Sequence, residues 1–163
     1  MSKIVKALGR YPDFVIGTNE NPYLLRWYLI PKNKFFNIYL HKFCRSDDDR
    51  ALHDHPWLFN VSILLKGEYI EHTFKGKSHR KAGLRGLKFR WGKAPHRVEL
   101  IQDVEHVVPR MGLQMIKERP CWTLFITGAV VREWGFYCPK GWRHWREFVS
   151  VRDGGNHVGR GCE

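Results

Sequence analysis

The chain has 163 residues, 43% of them hydrophobic, with seven Trp, six Tyr, ten Phe and a formal net charge of +12. That length and apolar fraction suit one domain with a buried core and exclude an extended disordered chain. No long apolar run occurs that would cross a membrane as a helix, and the opening MSKIVKALGRYPDF lacks the apolar centre of a secretory signal, so the expected location is cytoplasmic.

In chain order, LLRWYLI (24–30) reads as a first strand, closed by Pro31 and the polar KNK. FFNIYLHKFC (35–44) reads as a second, in which Phe36, Ile38 and Leu40 alternate with Asn37, Tyr39 and His41. RSDDDRAL is expected as a loop or single helical turn capped by Ser46 or Asp47, its three aspartates a solvated turn rather than a magnesium site. LFNVSILL (58–65) reads as a buried strand, and Lys66-Gly67 as the turn of a tight hairpin into GEYIEHTF. From Lys75 to Arg97 there are nine Lys or Arg and no acid, and the part with Gly76, Gly83 and Gly86 is expected as a long loop or irregular hairpin. LKFRW (87–91) and HRVELI (96–101) read as strands around the turn GKAP, CWTLFITG (121–128) as another, and WGFYCP (134–139) as the last. GWRHWREFVSV is expected as a short helix, and DGGNHVGRGCE as loose chain. The reading is one domain over residues 1–150 with a flexible Gly-rich tail over 151–163. About nine strands without βαβ alternation predict an all-β antiparallel sandwich or jelly roll with one or two short peripheral helices.

Cysteines 44, 121, 138 and 162 form no CxxC pair and, without an export signal, are expected as reduced thiols. No P-loop or GxSxG occurs, and Ser62 and Cys121 have no base partner in the sequence, so nucleophilic catalysis has no support.

The stretch HDHPWLFN (53–60) carries the chemistry. On an extended backbone His53 and His55 point to one side and Asp54 to the other, so two imidazoles converge on a single cation. Neutral imidazole suits Fe, Mn, Ni, Cu and Zn, but two ligands hold an ion weakly. His96, opening HRVELI after a glycine turn, is the best third ligand, with His72 and His106 as alternatives. Where Tyr69 and Glu71 share a face, His72 takes the other, so Glu71 and His72 cannot both face one ion. Trp57 and Trp91 lie close to the proposed ligands in sequence, and the basic stretch Lys75 to Arg97 suggests a small anionic molecule, a nucleotide or nucleic acid as partner.

These residues resemble the cupins. His53 and His55 stand as the first cupin motif's HxH, Asn60 where its Glu belongs, and Gly67 seven residues further on, as the motif asks. Gly92 precedes His96 as the second motif's glycine precedes its histidine. HDHPW, GEYIEH, HRVEL, WTLFITG and WGFYCPKGW also resemble small cupin-like proteins of phages and prophages. The resemblance implies a cupin-type double-stranded β-helix, a homodimer, and a divalent transition metal on His53, His55 and His96, with Fe(II) first and Zn, Ni or Mn as alternatives. Asn60, Trp57, Glu71, Trp91, Arg90 and Arg97 are then expected beside the metal or the substrate. Three neutral imidazoles leave three octahedral positions open, which suits an Fe(II)-dependent dioxygenase acting on a small anionic substrate. The competing expectation is a non-catalytic barrel that binds or sequesters a nucleotide-like ligand.

Overall fold

The computed structural model describes residues 9–47, 51–83, 86–108, 113–150 and 159–163. The strands among them are β1 (Phe14–Gly17), β2 (Pro22–Tyr28), β3 (Asn37–Phe43), β4 (Leu52–His53), β5 (Phe59–Lys66), β6 (Glu68–Thr73), β7 (Gly76–Lys81), β8 (Leu87–Trp91), β9 (Arg97–Leu100), β10 (Gln102–Val108), β11 (Leu113–Glu118), β12 (Cys121–Thr127), β13 (Gly135–Cys138) and β14 (Gly141–His144). One helical turn, α1 (Trp145–Phe148), follows.

Six strands form one antiparallel sheet in the order β1-β2-β3-β12-β5-β8. The three-stranded sheets β14-β13-β4 and β7-β6-β9 meet through an isolated bridge between His53 and His96. Together they make a second layer, β14-β13-β4-β9-β6-β7. Strands β3, β5, β8 and β12 lie in the first layer and β4, β6, β9 and β13 in the second. The chain crosses between layers at almost every step, which is the winding of a double-stranded β-helix. β10 and β11 pair as a separate hairpin. The all-β jelly roll expected from the sequence is the fold observed.

The Lys66-Gly67 hairpin is not. β5 and β6 belong to different layers, so Gly67 turns an arch rather than a hairpin. Its φ of 86° needs glycine, and a Cβ there would meet Cys121 Cβ at 3.0 Å and the Pro120 carbonyl oxygen at 3.1 Å. The hairpin sits one strand later: β6 pairs with β7, from Glu68↔Lys81 to Thr73↔Gly76. Of the basic stretch expected as a long loop or irregular hairpin, residues 76–81 are thus a hairpin strand at the edge of the second layer.

Alternation along the strands gives the first layer an inverted polarity. Asn37, Tyr39 and His41 on β3, Thr123, Phe125 and Thr127 on β12, Asn60 and Ser62 on β5, and Arg90 on β8 face inward and are buried. Leu87, Phe89 and Trp91 on β8 and Leu65 on β5 face out and are exposed. Leu64, Tyr69, Val98, Leu100 and Cys121, with Phe43 beside them, plug one end of the barrel. Polar side chains, with Tyr39 and Phe125 among them, line the rest. On the outer face, Trp27 and Leu40 pack with Leu25, Leu29 and Trp122, and the Trp27 indole N–H donates to the Arg10 carbonyl at 3.0 Å.

Two expectations about the chain's end are corrected. Cys138 on β13 and Cys162 are joined in a disulfide, leaving Cys44 and Cys121 as thiols. Residues 159–163 are pinned, because Gly159 and Gly161 donate to the Phe148 carbonyl and Arg143 donates to the carbonyls of Gly161 and Glu163. Residues 151–158 of the expected tail lie outside the described residues.

Candidate metal centre

Strand β4 ends at His53, and the extended chain runs on through Asp54 and His55. His53 exchanges both backbone hydrogen bonds with His96, N–H to carbonyl at 3.0 Å in each direction. His55 donates its backbone N–H to the Gly92 carbonyl at 3.0 Å. Main-chain pairing therefore sets three imidazoles, separated by up to 43 positions, against one another. Their ring centroids are 5.1 Å (His53–His55), 5.2 Å (His53–His96) and 5.1 Å (His55–His96) apart. One ring nitrogen from each lies within 4.8 Å of the others. His55 Nε2 and His96 Nε2 approach to 2.9 Å, which only a shared proton or a shared cation makes favourable.

Burial, then the charges of His96 and His53, pushes His55 well below the ordinary histidine range. Burial, then Arg90, takes His96 down to about 4. Both rings are thus neutral at neutral pH and keep a lone pair for a cation. Two of the three rings have a carboxylate on their other side. Glu71 Oε1 lies 3.3 Å from His96 Nδ1, an ion-pair distance without a formed hydrogen bond, and Asp47 Oδ2 lies 3.8 Å from His53 Nδ1. A carboxylate behind an imidazole favours the tautomer with its proton on Nδ1 and Nε2 turned inward. The donor set and its backing fit a divalent transition ion on His53, His55 and His96.

Glu71 is 0% exposed and holds Arg90, whose Nε donates to Glu71 Oε1 at 2.6 Å. Glu71 therefore neutralises the Arg90 charge from within, while Arg90 Nη1 is buried without a hydrogen-bond partner. Asn60 is also 0% exposed, paired in register with Thr127 and Arg90, and neither its amide nitrogen nor its oxygen has a partner. Trp57 stacks on His55 with centroids 5.2 Å apart. Two expected site residues are displaced by strand alternation. Trp91 follows inward Arg90 and so faces out, 60% exposed and against Phe89. Arg97 follows inward His96 and pairs with Glu99 and His72 on the other face of β9 and β6. His72 is thereby excluded from the centre, as the Glu71 parity required; the His106 side chain lies outside those described.

Asp47, Asp54 and Arg26 escaped the sequence reading. Asp47 is no solvated turn: it accepts from Val98 N–H at 2.8 Å and from the Tyr23 hydroxyl, completing the edge of β9. Asp48 and Asp49 lie outside the described residues. Asp54, 0% exposed, accepts from Gly135 N–H at 2.8 Å and pairs with Arg132 at 2.7 Å, anchoring the HDH segment from behind. The HxH spacing already implied a middle residue facing away; its partners come from residues about eighty positions on and left no local signal. A groove of about 700 Å³ lies elsewhere, lined by Lys66, Glu68, Lys81, Arg119 and Trp122, and Glu68 pairs with both Lys81 and Arg119 there.

Winding and site together define a cupin-type double-stranded β-helix with a three-histidine cluster. No protein-family model matches the sequence, and no curated protein matches it. Among solved structures, the chain is similar to the TT1209 protein from Thermus thermophilus at 17% identity and a TM-score of 0.47, covering 77% of this chain and 93% of that one. A conserved protein with a double-stranded β-helix domain from Klebsiella pneumoniae gives 12%, 0.48, 74% and 90% on the same measures. A cupin-2 domain protein from Shewanella frigidimarina gives 13%, 0.43, 63% and 78%. The fold assignment rests on strand order rather than on these likenesses.

Proposed function

We propose that the protein binds a divalent transition metal, Fe(II) first, on His53, His55 and His96, and acts as a dioxygenase on a small anionic substrate. The observation that carries this reading is the near-equilateral triangle of imidazoles, each tied in place by main chain and two of them backed by carboxylates. His53, His55 and His96 would hold Fe(II), and three imidazole ligands would leave it open positions at which a substrate and O₂ could be brought together for electron transfer. The chain's own residues orient and enclose. Glu71 and Asp47 hold the imidazoles, Trp57 and Phe125 wall the centre beside His55, and Asn60 offers a buried amide to whatever enters. With three histidines and no carboxylate among the clustered ligands, the 2-oxoglutarate-dependent pattern fits less well.

Purified without a metal-leaching affinity column, the protein is expected to carry about one divalent transition ion per chain by elemental analysis, and His53→Ala with His96→Ala to lose it. Unchanged metal content in that double variant overturns the site. With Fe(II) added, oxygen uptake on a panel of small acids separates the dioxygenase from a barrel that only binds its anion.

A further inference from the structure

Arg26 on β2, His41 on β3 and Thr123 on β12 form one inward-facing row: Arg26 pairs in register with His41, and His41 with Thr123. His41 is 2% exposed and Thr123 1%. Arg26 Nε donates to His41 Nε2 at 2.9 Å, so the imidazole accepts there and carries its proton on Nδ1. Burial, then the charge of Arg26, pushes His41 well below the ordinary histidine range, which keeps the ring neutral in that tautomer. His41 Nδ1 and Thr123 Oγ1 are both buried without a hydrogen-bond partner. Arg26 lies over the Tyr39 ring, 4.7 Å from its centroid, and has no carboxylate partner among the described residues. The row therefore offers one positive charge, an N–H and an O–H, with no anion to receive them. Buried donors left in that state are costly, and a water molecule meets the hydrogen bonds but not the charge.

We propose that this row binds an oxyanion, the carboxylate or phosphate end of the substrate. The terminal guanidinium N–H groups fork around two oxygens, and His41 Nδ1–H and the Thr123 hydroxyl are further donors. Phe125 neighbours both this row and the triad, its ring centroid 5.1 Å from that of His41 and 6.4 Å from that of His55. A small acid held by Arg26 extends past Phe125 toward the three histidines. Naming this end of the substrate rests on the reading of the triad as the place where the other end reacts.

The test titrates the purified protein with succinate and with inorganic phosphate by calorimetry, in metal-loaded and metal-free forms. Wild type is expected to bind at least one, succinate assigning a carboxylate and phosphate a phosphate ester. Arg26→Gln is expected to weaken binding about tenfold or more, with metal content and melting temperature retained, and Arg26→Lys to recover only part, since lysine keeps the charge but not the fork. Thr123→Val removes one donor at constant shape and is expected to weaken binding by a smaller factor. The His53→Ala, His96→Ala variant separates the two readings: metal lost with anion binding kept supports the row whatever becomes of the metal centre. Equal affinities in wild type, Arg26→Gln and Thr123→Val, or no binding of either anion by wild type, overturn the proposal.

Discussion

Glu71 sits with no exposed surface between Arg90 and His96, and its acidity records the contest between burial and neighbours. Burial raises a carboxyl; the His96 ring and the Arg90 guanidinium outweigh it and hold Glu71 down to about 2. A carboxylate whose folded pKa is depressed stabilises the fold fully above its ordinary value near 4.5, and that stability is lost as pH falls from there toward 2. The metal-free protein is thus expected to lose about 3 kcal/mol over that window through this residue, read from urea unfolding at stepped pH. Glu71→Gln should flatten that slope and cost about 3–5 kcal/mol at neutral pH, because Arg90 is left buried and unpaired. At this scale the sequence was legible where a rule of parity applied: HxH brings two rings to one side, and Glu71 and His72 part company. It was misread where parity was not carried through, since Arg90 and Trp91, or His96 and Arg97, cannot both face inward. Arg26 was invisible because a lone arginine in LLRWYLI becomes significant only once His41 and Thr123 are beside it.

Strand existence was legible from the two-residue period, as in LKFRW and CWTLFITG, but layer membership was not. A glycine turn reads alike whether it closes a hairpin or arches between sheets, and only the neighbours of Gly67 in space decide. β7 reads as either a long loop or an irregular hairpin because GKSHRK has no apolar alternation; pairing with β6 makes it a strand. Gly92 is the element-scale feature on which the centre depends. It donates to the Leu58 carbonyl at 3.0 Å and accepts from His55, so two chain segments touch backbone to backbone. A Cβ at Gly92 would stand 1.8 Å from the Trp57 carbonyl oxygen and 3.1 Å from that of His55. Gly92→Ala is expected to cost more than about 2 kcal/mol and to strip the metal, because the segment carrying His55 must move away. Thermal melting with elemental analysis checks both parts; a variant with wild-type melting and full metal content overturns the role given to this close approach.

Over the whole molecule, the first layer keeps its polar side chains inside and shows its apolar ones outside. Leu87, Phe89 and Trp91 are 58%, 49% and 60% exposed on edge strand β8, with Leu65 at 42% on its neighbour. Contiguous exposed apolar surface of this kind marks an interaction face, and a second copy is the occupant expected here. Light scattering on the eluted protein is expected to give twice the 19.4 kDa chain mass, and Phe89→Lys with Trp91→Glu to give the monomer with metal retained. A wild-type monomer overturns it. The cysteines bear on compartment: a thiol titration of the unreduced, unfolded protein is expected to find two free thiols, Cys44 and Cys121, rather than four. Such bonds persist where the surroundings oxidise and are rare in the cytosol, so this count decides between the disulfide and the cytoplasmic expectation.

The doubly hydrogen-bonded contact between His53 and His96 has one further consequence. Where a metalloprotein's ligands are gathered by the ion itself, emptying the site unravels the chain. Here amide and carbonyl groups have already done the gathering, so an ion bound there would be a passenger in a seat built beforehand. Different cations would then be able to take turns in it without the barrel being dismantled, and the supply of each in the surroundings would choose the occupant.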